Sequence, residues 1–315
     1  MNRKILTIGE ILVEIVATTK GNDFLEIQPL IGPFPSGAPA IFIDQVGKLN
    51  IPCAIISRVG DDDFGMLNIN RLKSDNVDVC GVSIARGEAT GSAFVRYKTD
   101  GSRKFVFNIA NSACGKLDDN PNIDILLQTC DHLHLMGTAL VSPGLKTVAL
   151  HAIQVIKSRG GTLSFDPNLR AEIMTPGLYA DLEVVLAQTD VFLPSGNELF
   201  LFTRAANEEQ SAVEELLDYG IKEIVLKRGD LGASYFARDK RVDVKPHCVK
   251  ERDPTGAGDS FGGTFISFWL NNASPEEALR YANAAGARAV TYLGPMEGTS
   301  TRFELDCFLE KRDEK

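Results

Sequence analysis

Short β-branched runs alternate with longer amphipathic ones along most of this chain, and that rhythm limits the folds open to it. Apolar runs at Ile5–Ile8, Ala54–Ser57, His132–Leu135, Thr162–Phe165, Val191–Leu193 and Glu223–Leu226 predict strands. Between them the spacing predicts helices near 38–49, 64–74, 145–158, 178–187 and 209–219. Buried strands alternating with helices form βαβ units, so the chain reads as an α/β protein with a mainly parallel sheet. Two long helices are predicted near 257–270 and 276–290, the second opened by a Ser274 N-cap with Pro275 at its first position. The Glu310–Lys315 tail reads as a charged, frayed end.

Three segments break the rhythm. Phe24–Ile31, Ser92–Tyr97 and Lys104–Ile109 alternate like antiparallel strands, and Thr99-Asp100-Gly101-Ser102 joins the last two as a hairpin turn. They predict a small β-sheet covering one end of the main unit, with lid insertions at about 24–32 and 92–109 of a single domain spanning 1–315. The 315 residues suffice for a sizeable core. The formal net charge of −9 lacks the basic footprint of a nucleic-acid binder and disfavours anionic lipid. No stretch reads as a membrane span or a secretory leader, so the reading is a soluble, cytoplasmic protein. The closest cysteines, Cys114 and Cys130, are sixteen residues apart, which excludes a CxxC pair; all six read as small buried hydrophobes.

Chemistry concentrates at Asp253-Pro254-Thr255-Gly256-Ala257-Gly258-Asp259-Ser260-Phe261. A glycine-rich turn entering a helix leaves main-chain amides bare beside the positive end of the helix dipole, which makes an anion site. Asp259 falls in the first turn of that helix. Gly262 and Gly263 follow on its side and read as an open face for a ligand. A carboxylate beside an anion hole suits proton removal from a hydroxyl that attacks a phosphoryl group; the alternative is a helix-capping aspartate.

The segment DPTGAGDSF resembles the C-terminal signature of the ribokinase/PfkB family of sugar kinases. The resemblance runs through the whole chain: Gly9-Glu10, Ser36-Gly37-Ala38-Pro39-Ala40, Val59-Gly60-Asp61, Asp166-Pro167-Asn168-Leu169-Arg170, Lys227-Arg228-Gly229 with Gly232-Ala233, and Ala282-Asn283-Ala284-Ala285-Gly286. It implies a three-layer α/β/α ribokinase-like domain with a small β-sheet lid, and ATP-dependent phosphorylation of a small sugar. It makes Asp259 the base and the amides of Gly256, Ala257 and Gly258 the anion hole. It puts Lys227, Gly229, Gly232 and Asn283 on the nucleotide, Glu14, Gly37, Ala38 and Arg170 on the sugar, and Glu198 on Mg²⁺ through water. In bland alternatives Lys227 is a solvated strand end, Asn283 a satisfied helix residue and Glu198 an exposed helix start. The resemblance further implies a monovalent cation such as K⁺ near Asp253 and Thr255, and a homodimer through the lid.

Departures from the family pattern bear on the substrate. Ile41 stands where the family usually has a sugar-binding Asn. Phe107-Asn108-Ile109 replaces the Tyr-Tyr-Arg cluster with which 2-keto-3-deoxygluconate kinases hold a carboxylate. A buried carboxylate without a partner is costly, so a neutral ketohexose of the tagatose or fructose type is expected. The alternatives are a keto-deoxy sugar acid held by Arg96 or Arg103, a nucleoside or pentose, and a non-catalytic sugar-binding regulator on a kinase fold. His132 and His134 share a strand face but have no further ligands at metal spacing, and read as strand-end histidines. Trp269 reads as core, and the charged 251–253 segment as a solvated loop.

Overall fold

The computed structural model describes residues 3–117, 120–169, 175–205 and 208–313. In chain order its strands are β1 (Ile5–Ile8), β2 (Leu12–Ala17), β3 (Leu30–Ser36), β4 (Cys53–Gly60), β5 (Val82–Ala85), β6 (Gly91–Tyr97), β7 (Arg103–Asn108), β8 (His132–Met136), β9 (Thr162–Asp166), β10 (Val191–Phe192), β11 (Glu223–Lys227), β12 (Ala233–Ala237) and β13 (Lys240–Val244). The helices are α1 (Ala38–Lys48), α2 (Asp63–Ser74), α3 (Pro121–Thr129), α4 (Pro143–Ser158), α5 (Pro176–Leu186), α6 (Glu209–Tyr219), α7 (Ala257–Leu270), α8 (Pro275–Ala289) and α9 (Arg302–Asp313).

Nine strands form one sheet in the order β13-β12-β11-β10-β9-β8-β1-β4-β5. The pairs from β11 to β5 are parallel, and only the β11–β12–β13 end is antiparallel. Because both faces are covered, successive residues of β1 feed opposite cores: Ile5 joins the layer of α1, α7 and α8, whereas Leu6 and Ile8 join the layer of α3, α4, α5 and α6. Phe42, Phe165, Phe192 and Phe265 are fully buried, each worth about 1.5–3 kcal/mol of transfer free energy. The ligand-bearing turns of such a sheet lie past the carboxyl ends of its strands. Gly9-Glu10 after β1, Gly137-Thr138 after β8, Pro167-Asn168 after β9 and the turn after β11 gather there.

The second sheet has the order β3-β2-β6-β7. Its first strand pair departs from expectation. Phe24–Pro29 is irregular, Leu25 and Ile27 are exposed because no layer lies beneath them, and the strand is Leu30–Ser36. Pro33 and Pro35 are tolerated there because β3 is an edge strand. β2 was not foreseen, since Leu12–Ala17 reads as a continuation of β1 in the sequence.

Other expectations are corrected. A third helix, α9, closes the described chain, anchored by buried Leu305 and Leu309 and by Arg288, whose Nη2 lies 2.6 Å from Glu304 Oε1. His132 opens β8 and His134 sits at its middle, both fully buried within the sheet. His132 bonds Thr162 and Ser164, His134 bonds the same Ser164 and stacks on Phe42 at 3.7 Å, and burial holds the His132 imidazole down at about 3. Among the described residues no group of three or more His, Cys, Asp or Glu side chains is placed to hold a metal. Trp269 is partly buried against the core, edge-on to His132. Cys53, Cys114 and Cys130 are buried, but Cys80 and Cys248 are exposed. The glycine pair of α7 is not an open ligand face. A Cβ at Gly263 would lie 2.6 Å from the Phe42 carbonyl oxygen, and one at Gly262 would touch Phe42 and Leu193, so the pair lets α7 lie directly on α1.

Candidate active site

The turn before α7 is built around a buried carboxylate. Asp253 has no exposed surface, in contrast to the solvated loop expected there. Its Oδ1 accepts hydrogen bonds from the Thr255 amide (2.9 Å), the Thr255 hydroxyl (2.7 Å) and the Tyr97 hydroxyl (2.9 Å), and its Oδ2 from the Gly294 amide (3.1 Å). Four donors repay the burial of the charge. They also clamp the turn so that Gly256 takes a left-handed conformation (φ 81°) as the N-cap of α7. A side chain at Gly256 would collide with the Pro295 carbonyl. No side chain caps α7, so the main chain of Gly256, Ala257 and Gly258 presents the positive end of the helix unshielded.

Asp259 stands in the first turn of α7, mostly buried, and its Oδ1 lies 3.4 Å from Asn168 Nδ2 at the end of β9. The N-cap position of α7 is Gly256, and Asp259 lies three residues into the helix. Two cavities meet beside it, sharing Lys227, Pro254 and Gly258. The smaller, of about 270 Å³, holds Asp259 together with Glu10, Glu14, Gly37, Ala38, Asp166 and Glu198. The larger, of about 560 Å³, is lined by Gly229, Gly232, Asn283 and a largely apolar wall that includes Phe261, Ala287 and Val290.

In the smaller cavity, Glu14 of β2 is buried. Its carboxyl is pushed up to about 8, chiefly by burial and then by the charge of Asp253. The Ser36 and Thr255 hydroxyls approach it at 3.5 and 3.4 Å. Arg103 of β7 reaches over the cavity and donates to the Thr255 hydroxyl at 2.7 Å, so the small sheet is bonded to the turn by both Arg103 and Tyr97. Phe105, Phe107 and Ile109 line the same side, and Ile41 the other, which puts apolar groups at the positions of the missing clamp. Arg170 lies outside the described residues.

Lys227, at the end of β11, is buried and ion-paired through Nζ to Asp166 Oδ2 rather than solvated. It reaches the turn: a Cβ at Gly258 would lie 3.7 Å from Nζ. Glu198 is not an exposed helix start. Its oxygens accept the amides of Leu169 (2.8 Å) and Ser195 (2.7 Å), and burial with the nearby Asp166 raises its carboxyl. Two crowded carboxylates, Asp166 and Glu198, are a hard-oxygen donor set that suits Mg²⁺ held largely through water. Asn283 is anchored, its Nδ2 donating to the Lys245 carbonyl at 2.8 Å. The Asp253 carboxylate is already filled, so a monovalent cation at this turn would be held by main-chain carbonyls.

Sequence reasoning quoted Glu10, Asp166 and Asn168 within motifs without giving them a task, passed over Thr138, and mistook Asp253. The signal that unites Glu10, Thr138, Asp166 and Asn168 was available: each sits at or just past the carboxyl end of a predicted strand.

A carboxylate set against bare amides, between a small polar cavity and a larger apolar one, is the arrangement of a phosphoryl-transfer enzyme. Residues 2–302 match the pfkB family carbohydrate kinases, and the chain belongs to that family. It is 31% identical to fructokinase-1 of Oryza sativa subsp. japonica over 312 residues, 96% of each chain. Among solved structures it is similar to a putative ribokinase II from E. coli (46% identity, TM-score 0.92, covering 98% of this chain and 99% of that one), which is also known in complex with ATP and Mg²⁺. A fructokinase double mutant from Vibrio cholerae, bound to fructose, ADP and potassium, superposes with a TM-score of 0.83 at 27% identity, over 98% and 99% of the two chains.

Proposed function

We propose that this sugar kinase transfers the γ-phosphoryl group of ATP to a primary hydroxyl of a neutral ketohexose, of the fructose or tagatose type. The observation that carries the reading is the meeting of the two cavities at Lys227, Pro254 and Gly258, with Asp259 beside that junction on the wall of the smaller one. ATP lies in the larger cavity, with its base near Asn283 and its phosphates passing Gly229, Gly232 and Lys227. The sugar lies in the smaller one, against Glu14, Gly37 and Ala38. Asp259 orients the reacting hydroxyl and takes its proton as the oxygen–phosphorus bond forms and the bond to ADP breaks. The amides of Gly256, Ala257 and Gly258, with the Lys227 ammonium, face the charge that develops on the transferred group. Mg²⁺, when bound near Glu198 and Asp166, supplies charge neutralisation of the phosphates. A monovalent cation such as K⁺ belongs to the same reading, supported by the potassium-bound fructokinase relative.

The neutral sugar is supported by what surrounds it. Five carboxyl groups (Glu10, Glu14, Asp166, Glu198 and Asp259) line its cavity, and Phe107 and Ile109 offer a substrate carboxylate nothing. The fructokinase relatives support the same class. We read the chain as one kinase domain in which the small sheet is a lid that shuts water out of the sugar site. Exposed Leu30, Ile31 and Val106 on its edge strands support a homodimer through that sheet, for which sedimentation is the test. Coupled ADP release across fructose, tagatose, ribose, nucleosides and 2-keto-3-deoxygluconate tests the function. Sugar binding without ADP release would make the chain a non-catalytic sensor instead.

A further inference from the structure

The small sheet grips the turn before α7 at one register position. Tyr97 ends β6, Arg103 opens β7, and the two stand directly opposite each other. Their side chains therefore leave the same face of the sheet. Tyr97 donates to Asp253 Oδ1 at 2.9 Å, and Arg103 donates to the Thr255 hydroxyl, which in turn donates to the same oxygen. A third contact comes from β3. Gly294 (φ 107°) has no room for a side chain, because a Cβ there would lie 2.7 Å from Phe34 Cδ1. The Gly294 amide is the donor on Asp253 Oδ2, and the next residue, Pro295, is the one whose carbonyl abuts Gly256. Asp253 is thus the node that joins the small sheet, the 294–295 loop and the bare amides of α7. Neither Asp253 nor Tyr97 is on the wall of either cavity, so each acts on the site through the turn. Burial, and then the Asp253 charge, push the Tyr97 hydroxyl well above its ordinary value, which keeps it a donor at neutral pH. Misplacing reacting groups by about 1 Å can cost about 100-fold in rate, so a bond that fixes this turn bears on turnover.

We propose that Tyr97 is a positioning residue: through Asp253 its hydroxyl holds the phosphoryl-binding turn in register with the sheet that covers the sugar. The inference rests on the sugar-kinase reading above and adds to it a link between the two halves of the reaction. Tyr97→Phe keeps the ring and removes the bond. Its kcat should fall about 5–50-fold, the effect of one hydrogen bond to a charged group partly made up by the three donors that remain. The KM values for fructose and ATP should both stay within about twofold of the wild type. In the ligand-free protein the Gly294 amide, bonded to the other oxygen of Asp253, should exchange its hydrogen about 5–50-fold faster in the variant. A lower melting temperature with kcat and KM unchanged would make Tyr97 a fold contact only and overturns the proposal. So does a rise in the fructose KM with kcat unchanged, which would place its work in closing the sheet on the sugar. Unchanged exchange at Gly294 overturns it as well. If Tyr97→Phe does not fold, the wild type decides. Fructose should slow exchange at Gly294, which lines neither cavity, and no change refutes the link. If the wild type releases no ADP with any sugar, the kinase reading has failed, and Gly294 exchange in the two proteins still tests the hold of Tyr97 on the turn.

Discussion

The two cavities that meet at Lys227, Pro254 and Gly258 are made in opposite ways. The larger is walled by residues 227–290, one continuous stretch of chain, and shows its ligand glycine main chain, an apolar wall and the already anchored Asn283. The smaller draws on β2, β7, α1, α7 and the ends of β1, β8, β9 and β11, and is crowded with carboxyl groups. A site of the first kind reads shape and phosphate charge, which are the same for every reaction the enzyme performs. A site of the second kind reads the arrangement of hydroxyls, and so holds the substrate choice. On the reading proposed above, substrate choice rests with the smaller cavity, which also carries Asp259.

The largest effect should come from the point of contact between them. Asp259→Asn should lose at least about 10³-fold in kcat while both ligands still bind, as measured by turnover and calorimetry together. Lost sugar binding would instead make Asp259 a substrate-holding residue rather than the base. Lys227→Met should cost about 10²-fold in kcat, because the same side chain serves the transferred charge. It should also lower stability by about 3–5 kcal/mol in denaturant titrations, because Asp166 is left unpaired beside Glu198. Neutral ketohexoses should exceed 2-keto-3-deoxygluconate by at least about tenfold in kcat/KM, in line with the one to two hydrogen bonds the acid's carboxylate would lack. Preference for the acid would transfer its recognition to Arg103 and break the contrast. Arg103→Gln should raise the sugar KM by only about 3–10-fold and leave the ATP KM unmoved, since its hydroxyl partner sits on the sugar side of the turn.

A pH titration gives a smaller signal from the same crowding. Glu10 and Glu14 rise from the ordinary 4.5 to about 7 and about 8 on folding. The folded chain therefore keeps protons that the unfolded chain has released between about pH 4.5 and 8. Their contribution to stability is complete below that window and is lost as pH rises through it. Thermal melts of the ligand-free protein should fall across the window, and Glu14→Gln should flatten the fall. An unchanged slope in that variant would place the effect elsewhere.

The same contrast explains what the sequence disclosed. The helices α1, α2, α4, α5, α6, α7 and α8 and the central strands follow from periodicity, because each is a local pattern packed in the common way. The turn before α7 was legible because its glycines and Asp259 are neighbours in the chain. The smaller cavity was legible only in part. Glu10 and Thr138 are separated by most of the first half of the chain and meet only because β1 and β8 pair. Asp253 looked like surface charge because its four donors come from Tyr97, Thr255 and Gly294, two of them remote. α9 carries too many charges for its two buried leucines to stand out.

The contact of α7 on α1 through Gly263 has a bearing on how accurately the site is assembled. α7 begins with the bare amides and Asp259, and α1 begins next to Gly37 and Ala38, so the two halves of the reaction are mounted on two rods in direct main-chain contact. At Gly263 the α7 main chain comes against the Phe42 carbonyl of α1 with no side chain between them. The spacing from base to sugar is then a dimension of the backbone, held to within the give of a van der Waals contact. Substitutions elsewhere on the wall of the smaller cavity, such as at Ile41, Arg103 or Phe107, leave that dimension unchanged.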